Sequence, residues 1–199
     1  NMYKKNRKLR ILIIQNDALS LYRFREDLLR RLISDGYDVD AISEYDSFYS
    51  PKIVSLVNNY YSFEIYRWVN ILSDIKLSIN FTLFLLLKKF KNENYDIIHT
   101  ITAKPNFIMA PIARLILGRK TRIVSLVSGL ESFLGPIVMS EGKIGLKNRI
   151  LRILLRLVFK SFNRVWLQNP DDIELMIRSK IINHRQSVLA YGSGVSLKE

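Results

Sequence analysis

A chain of 199 residues with 48 % hydrophobic side chains is long enough to bury one substantial core and too apolar to be read as disordered. The lack of cysteine excludes disulfides and thiolate metal sites and fits a cytosolic compartment; with only His99 and His184, an imidazole-based metal centre has no identifiable carboxylate partners. Against 18 Asp and Glu stand 31 Lys and Arg, and the net charge of +13 calls for an anionic partner: nucleic acid, a membrane surface or a phosphorylated ligand.

Strands and helices alternate along the chain. Leu9 to Gln15 is a short run with β-branched residues, the pattern of a strand buried on both faces. Leu21, Phe24, Leu28 and Leu32 then recur at helical spacing, and Gly36 supplies a left-handed C-cap. Tyr37 to Ile42 reads as a second strand and Phe63 to Tyr66 as a third. The long loop expected from Ser43 to Ser62 holds a helical turn at Ile53 to Val57. A helix is expected from about Ser73 to Lys91, a strand over Asp96 to His99, and a helix opened by Pro105 at its first position and closed by Gly118. Thr121 to Val127, Arg164 to Leu167 and Ser187 to Ala190 are further strands. Helices are expected from Leu146 to Phe162 and after Asn169, an N-cap followed by Pro170 and two acids. Six or seven strands separated by helices predict a three-layer α/β/α sandwich, Rossmann-like, around a mostly parallel, doubly wound sheet. The basic start leads into too short an apolar run for a secretory signal, and no segment approaches the roughly 20 apolar residues of a membrane span.

In such a sheet, ligands bind outside the carboxyl ends of the strands. The segment Asp96 to Asn106 runs a strand into a polar turn and so places His99, Thr100, Thr102, Lys104 and Asn106 at one strand end. His99 is open to three roles: a base, an orienter of a substrate hydroxyl, or a core histidine. Lys104 precedes Pro105 and is expected to be extended, beside a helix N-terminus that attracts anions. After the first strand, Asn16-Asp17-Ala18-Leu19-Ser20 contains no glycine, so the pyrophosphate cradle of a dinucleotide fold is not expected there. Asn16, Asp17 and Ser20 are left as polar groups at the sheet edge, with Ser20 also able to cap the next helix. Arg23 and Arg25, placed in that helix's first turn, would be offset by an anionic ligand. The turn from Ser128 to Pro136 carries Gly129, Leu130 and Glu131 at another strand end. Lys143, Lys147, Arg149, Arg152, Arg156, Lys160 and Arg164 recur at helical steps against Ile150, Ile153, Leu154, Leu157 and Val158, a basic amphipathic helix of the type that lies on anionic lipid. Without interleaved aromatic residues, phospholipid is favoured over nucleic acid.

Five segments in this order carry a resemblance: Phe24 to Val39 with Gly36-Tyr37-Asp38, Ile98-His99-Thr100 with Lys104-Pro105-Asn106, Val127-Ser128-Gly129-Leu130, Trp166 to Asp172, and Gly192-Ser193-Gly194-Val195. Together they resemble the N-terminal half of family 4 glycosyltransferases, in the bacterial branch that extends lipid-linked oligosaccharides for surface polysaccharide or protein glycosylation. The resemblance implies a GT-B fold, of which residues 1–199 would be the Rossmann-like, acceptor-binding domain, with the donor-binding domain outside this sequence. It also implies a retaining transfer from a nucleotide-sugar, a UDP-sugar, to a polyprenyl-diphosphate-linked or saccharide acceptor, without a metal or other cofactor. His99 would hydrogen-bond the reacting sugars as the catalytic residue, Thr100 and Lys104 would line the cleft floor, and Arg23 or Arg25 would meet the acceptor. Asn16, Asp17, Ser20, Thr102, Asn106, Gly129, Leu130, Glu131, Asn169, Gly192, Ser193 and Gly194 complete the expected substrate-binding set. His99 and Lys104 are expected to face solvent in this chain. The expected place is cytoplasmic, peripheral on the inner face of the plasma membrane through the helix around 146–162, with no nucleic acid partner and no turnover by these residues alone. The competing reading is a non-catalytic basic α/β module that binds anionic membrane or RNA.

Overall fold

A computed structural model describes residues 7–66, 68–128 and 146–192. Seven strands form one sheet in the order β3-β2-β1-β4-β5-β6-β7, every neighbouring pair parallel. They are β1 (Arg10–Asp17), β2 (Asp38–Glu44), β3 (Asn59–Ser62), β4 (Ile97–Ile101), β5 (Arg122–Val127), β6 (Arg164–Leu167) and β7 (Ser187–Leu189). The described helices are α1 (Ala18–Ser34), α2 (Ser50–Val54), α3 (Ile71–Phe90), α4 (Ala110–Leu117), α5 (Leu146–Phe159) and α6 (Pro170–Arg178), with a π-helical turn, Pro105–Met109, leading into α4. The chain winds outward from β1 in one direction and then outward from β4 in the other, so the order reverses between β1 and β4. This is the topological switch point of a doubly wound sheet.

Two apolar layers cover the sheet, as the period-2 alternation of buried strands requires. Ile11 and Ile13 of β1 pack with Leu21 and Leu29 of α1 and Ile53 of α2 on one face. Leu12 and Ile14 pack on the other with Leu77, Phe81 and Leu85 of α3, Ala110 and Ala113 of α4, Leu155 and Phe159 of α5, and Met176 of α6. Tyr61, Phe63, Phe81 and Phe84 interlock as edge-to-face and stacked rings beneath β3.

Several expected boundaries shift for identifiable reasons. The third strand is Asn59–Ser62 rather than 63–66, because β2 pairs there from Asp40 to Ser43 and the Asn59 side chain donates to the buried Asp40 carboxylate at 2.9 Å. Phe63 is left to pack against Phe81 and Phe84. The helical turn expected at 53–57 lies at 50–54, where the Asp46 carboxylate accepts from the Phe48 and Tyr49 N–H groups. The Asn70 side chain caps α3 and starts it two residues early, at Ile71. Gly36 does end α1, at φ 88°, with the Tyr37 N–H returning to the Leu32 carbonyl.

Asp17, not Ser20, caps α1: its carboxylate accepts from the Ser20 N–H at 2.7 Å. Arg23 and Arg25 therefore sit beyond the first turn, where they do not oppose the helix dipole and call for no anion to offset it. Loss of a capping carboxylate costs about 1 kcal/mol, so Asp17→Ala should lower urea-unfolding stability by that amount without changing the m-value.

Candidate functional site: a crevice at the switch point

Because all strands are parallel, their carboxyl ends lie along one edge, and the crevice at the reversal is walled by the ends of β1 and β4. Asn16 comes from the first wall and Thr102 from the second. The Thr102 hydroxyl donates to the Asn16 side-chain oxygen at 2.7 Å and also approaches the Ile101 carbonyl. Thr102 has φ 74°, a left-handed conformation that a β-branched residue adopts only under constraint. The π-helical turn follows immediately. Positive φ and a π-turn side by side reshape the chain just where a ligand would meet the sheet.

The turn behind Thr102 is not extended. Lys104 is helical, at φ −64° and ψ −45°, and helical backbone already holds 103–104, so Pro105 lies within the first turn rather than opening it. Its missing N–H is harmless there, since the first four N–H groups of a helix lack intrahelical acceptors anyway. The expectation that Lys104 faces solvent is corrected: only 7 % of it is exposed, and its ammonium donates to the Asp74 carboxylate of α3 at 2.6 Å. Asp74 is a residue the sequence reading did not single out, although an acid in the first turn of α3 is visible in the sequence.

His99 is likewise not solvent-facing. Alternation along β4 puts it with Ile97 and Ile101 on the α1 face, 7 % exposed, its ring 5.3 Å from that of Trp166. Nδ1 lies 3.2 Å from the Val124 carbonyl, so Nδ1–H donates and Nε2 is the acceptor. Burial drives its pKa down from 6.5 to about 4, against the pull of that carbonyl and with a smaller contribution from the Arg25 charge. The imidazole is therefore neutral at physiological pH. Arg25 is itself buried on the inner face of α1; its guanidinium donates to the Phe24 carbonyl at 2.8 Å, and burial lowers its pKa. Arg23 is exposed and lies over the Tyr49 ring. Gln15 is 3 % exposed and its side-chain oxygen meets no donor among the described residues; a single polar group at the end of an apolar run carries no signal of this in the sequence.

Thr100 and Asn106 turn to the opposite face. Both are buried, and the Thr100 hydroxyl donates to Asn106 Oδ1 at 2.7 Å while Asn106 Nδ2 donates to the Leu126 carbonyl at 2.9 Å. They latch the π-turn onto β4 and β5 instead of lining a cleft. Asn169 caps α6 through the Asp172 N–H at 2.6 Å, and Gly192 is exposed at φ 66°. Gly129, Leu130, Glu131, Ser193 and Gly194 lie outside the described residues. The structure thus gathers Asn16, Asp17 and Thr102 at the crevice, and His99 with Arg25 behind it, while Thr100 and Asn106 are buried on the opposite face of the sheet and bonded to each other. Asp17 and Glu44 are register partners at the ends of β1 and β2, and burial, helped by the charges of Asp17 and Glu64, raises the Glu44 pKa. Among the described residues no group of three or more His, Asp or Glu side chains is placed to hold a metal ion.

The doubly wound sheet with a polar crevice at its reversal defines a Rossmann-like α/β domain. The model of the family described as glycosyl transferase 4-like matches residues 10–169, and the chain belongs to that family. No curated protein sequence matches it. Among solved structures, it is similar to Arabidopsis thaliana UGT89C1 complexed with UDP-L-rhamnose, at 10 % identity and TM-score 0.61 over 96 % of this chain and 51 % of that one. It is similar to Acinetobacter baumannii MurG, at 11 % identity and TM-score 0.54 over 96 % and 47 %, and to the UDP-GlcNAc 2-epimerase of Methanocaldococcus jannaschii, at 13 % identity and TM-score 0.55 over 92 % and 45 %. The fold is that of one half of a GT-B protein, and the chain spans about half the length of these structures.

Proposed function

We propose that this chain is the acceptor-side half of a retaining glycosyltransferase that moves a sugar from a UDP-sugar to a lipid-linked or saccharide acceptor in surface polysaccharide synthesis. The observation that carries the reading is the crevice between β1 and β4, where Asn16 and Thr102 meet across the switch point in a chain of this family. Asn16 and Thr102 offer neutral hydrogen-bonding groups suited to sugar hydroxyls. An acceptor diphosphate entering the crevice would compete with Asp74 for the Lys104 ammonium. His99, neutral and enclosed, supports β4 from behind rather than exchanging protons with solvent.

A membrane-bound acceptor is supported by the outer surface of the α3, α4 and α5 layer. The expected amphipathic helix α5 exposes Ile150, Ile153, Leu154 and Leu157, whereas Leu155 and Phe159 enter the core and Val158 packs partly against it. Beyond that expectation, α3 has a second apolar stripe: Ile75, Ile79, Leu83 and Phe90 are all exposed, and α4 adds Leu115. Lys89 and Arg149 lie on the same helices and Lys160 just past α5, giving apolar area with cations beside it, the combination that seats a protein on anionic lipid. No helix among the described residues is long and apolar enough to cross a membrane. A peripheral seat on the inner face of the plasma membrane follows from this reading.

The test is calorimetry of the chain with a polyprenyl-diphosphate-linked saccharide and separately with UDP, together with a transfer assay from UDP-sugar. We expect saturable acceptor binding that weakens about tenfold in Asn16→Ala and Thr102→Ala, the loss of roughly one good hydrogen bond each, and no turnover by the chain alone. Robust transfer by residues 1–199 would overturn the two-domain reading, and acceptor affinity unchanged in both variants would overturn the crevice assignment.

A further inference from the structure

On the opposite edge of the sheet from the crevice, where β7 begins at Ser187, a cavity of about 450 Å³ opens between α5 and the turn that follows α6. Its volume is in the range of ligand pockets, roughly 300–1,000 Å³. Four groups able to carry positive charge converge on it from three segments: Arg156 of α5 with Lys160 just past its end, Lys180 just past α6, and His184 of the turn before β7. No Asp or Glu lines it, and Arg156, Lys160 and Lys180 enter none of the ion pairs found among the described residues.

The walls are fixed before any ligand arrives. Arg156 donates to the Ser179 carbonyl at 3.0 Å, which ties α5 to the end of α6. The Gln186 amide donates to the Phe159 and Phe162 carbonyls, each at 3.1 Å, while its oxygen accepts from Asn183 at 2.9 Å, so the turn carrying His184 is pinned to the end of α5. Lys180 has φ 56° at the position after the C-cap, where glycine fits without strain. The side chain held in that conformation is one of the four facing the cavity. Buried Ile181 and Ile182 form an apolar floor, which strengthens any charge contact made above it. Helix C-termini favour a cation or two in their last turns, but His184 belongs to neither helix.

We propose that this cavity is a phosphate-binding site, taking a phosphomonoester or phosphodiester group. Lys160, Lys180 and His184 supply further donors around Arg156, which the Ser179 carbonyl holds in place. Two sources share that chemistry: a phospholipid headgroup, since α5 also bears the exposed apolar stripe, and a soluble phosphate compound. The site does not depend on the glycosyltransferase reading and shares no residue with the crevice.

The test follows inorganic phosphate by amide NMR of the full 199-residue chain, with chloride at equal ionic strength as control, and pairs it with sedimentation on phosphatidylcholine vesicles with and without phosphatidylglycerol. Saturable shifts at residues 180–186 that chloride does not reproduce, and a dissociation constant raised about tenfold or more in the triple variant Lys160→Gln, Lys180→Gln, His184→Gln, are the expected result. Lys180→Gly separates binding from folding: it relieves the left-handed strain, so Tm should rise while phosphate affinity falls severalfold. Phosphate binding lost together with phosphatidylglycerol-dependent sedimentation supports the site with a lipid headgroup as its source; phosphate binding lost with sedimentation intact supports it with a soluble one. Absence of saturable shifts, or affinity retained in both variants, overturns the proposal.

Discussion

Replacing Asn106 by alanine is expected to destabilise the chain by about 4 kcal/mol. Asn106 is 3 % exposed, and its side chain serves two partners at once: the Thr100 hydroxyl at 2.7 Å and the Leu126 carbonyl at 2.9 Å. Each buried partner left unmatched costs about 1–3 kcal/mol, and the vacated space adds a smaller term. The Thr100 hydroxyl can turn toward the Val124 carbonyl, 3.5 Å away, and recover a little. The Leu126 carbonyl has no such alternative among the side-chain donors described. The double variant Thr100→Ala, Asn106→Ala should therefore cost less than the sum of the two singles, because removing the hydroxyl removes one of the unmatched groups. Urea unfolding of the four proteins measures this. A loss below about 1 kcal/mol for Asn106→Ala, or strict additivity, would mean that the π-turn is held by packing alone.

That latch shows where sequence stops short of structure. Asn106 stands in a polar turn after a strand, the pattern of a ligand contact, and the sequence does not record that helical backbone at 103–104 swings its side chain under the sheet. Lys104 misleads for the same reason: the residue before a proline is normally extended, and here the left-handed Thr102 makes the bend that lets Lys104 start a helix. Neither the φ of Thr102 nor the partnership with Asp74, 30 positions away, leaves a trace in local spacing. What was legible is what local chemistry controls. Short β-branched runs locate the strands to within a few residues except at β3, an edge strand whose Tyr60 and Tyr61 are only half-buried and so carry a weak pattern. Gly36, Gly118 and Asn169 end or begin helices where backbone conformation or capping alone decides. The second apolar stripe of α3 was hidden by overlap, since a helix apolar on two faces shows little periodicity to read.

His99 makes the stability of this protein depend on pH in a direction that can be worked out in advance. In the fold its imidazole is enclosed by Trp166 from β6, the Val124 carbonyl from β5 and the guanidinium-bearing Arg25 from α1, and its pKa lies near 4 against 6.5 in the unfolded chain. Between those two values the unfolded state binds a proton that the folded state refuses. Stability therefore falls as pH drops from about 6.5, by roughly 1.4 kcal/mol per unit, and about 3 kcal/mol has been lost by pH 4. Above pH 6.5 the contribution is complete and flat. Glu44 works the other way, its raised pKa favouring the fold as acid is added, so the total curve mixes both. Comparison with His99→Gln isolates the histidine: glutamine offers Val124 an amide donor but has no proton to gain. The gap between the two proteins in urea-unfolding free energy should shrink or invert by about 3 kcal/mol from pH 7.5 to pH 4, and mostly between 6.5 and 4. Parallel curves for the two proteins across that range would show that His99 protonates in place, reached by water, and that the ring is not held in the dry neutral state that lets it brace β4 behind the crevice.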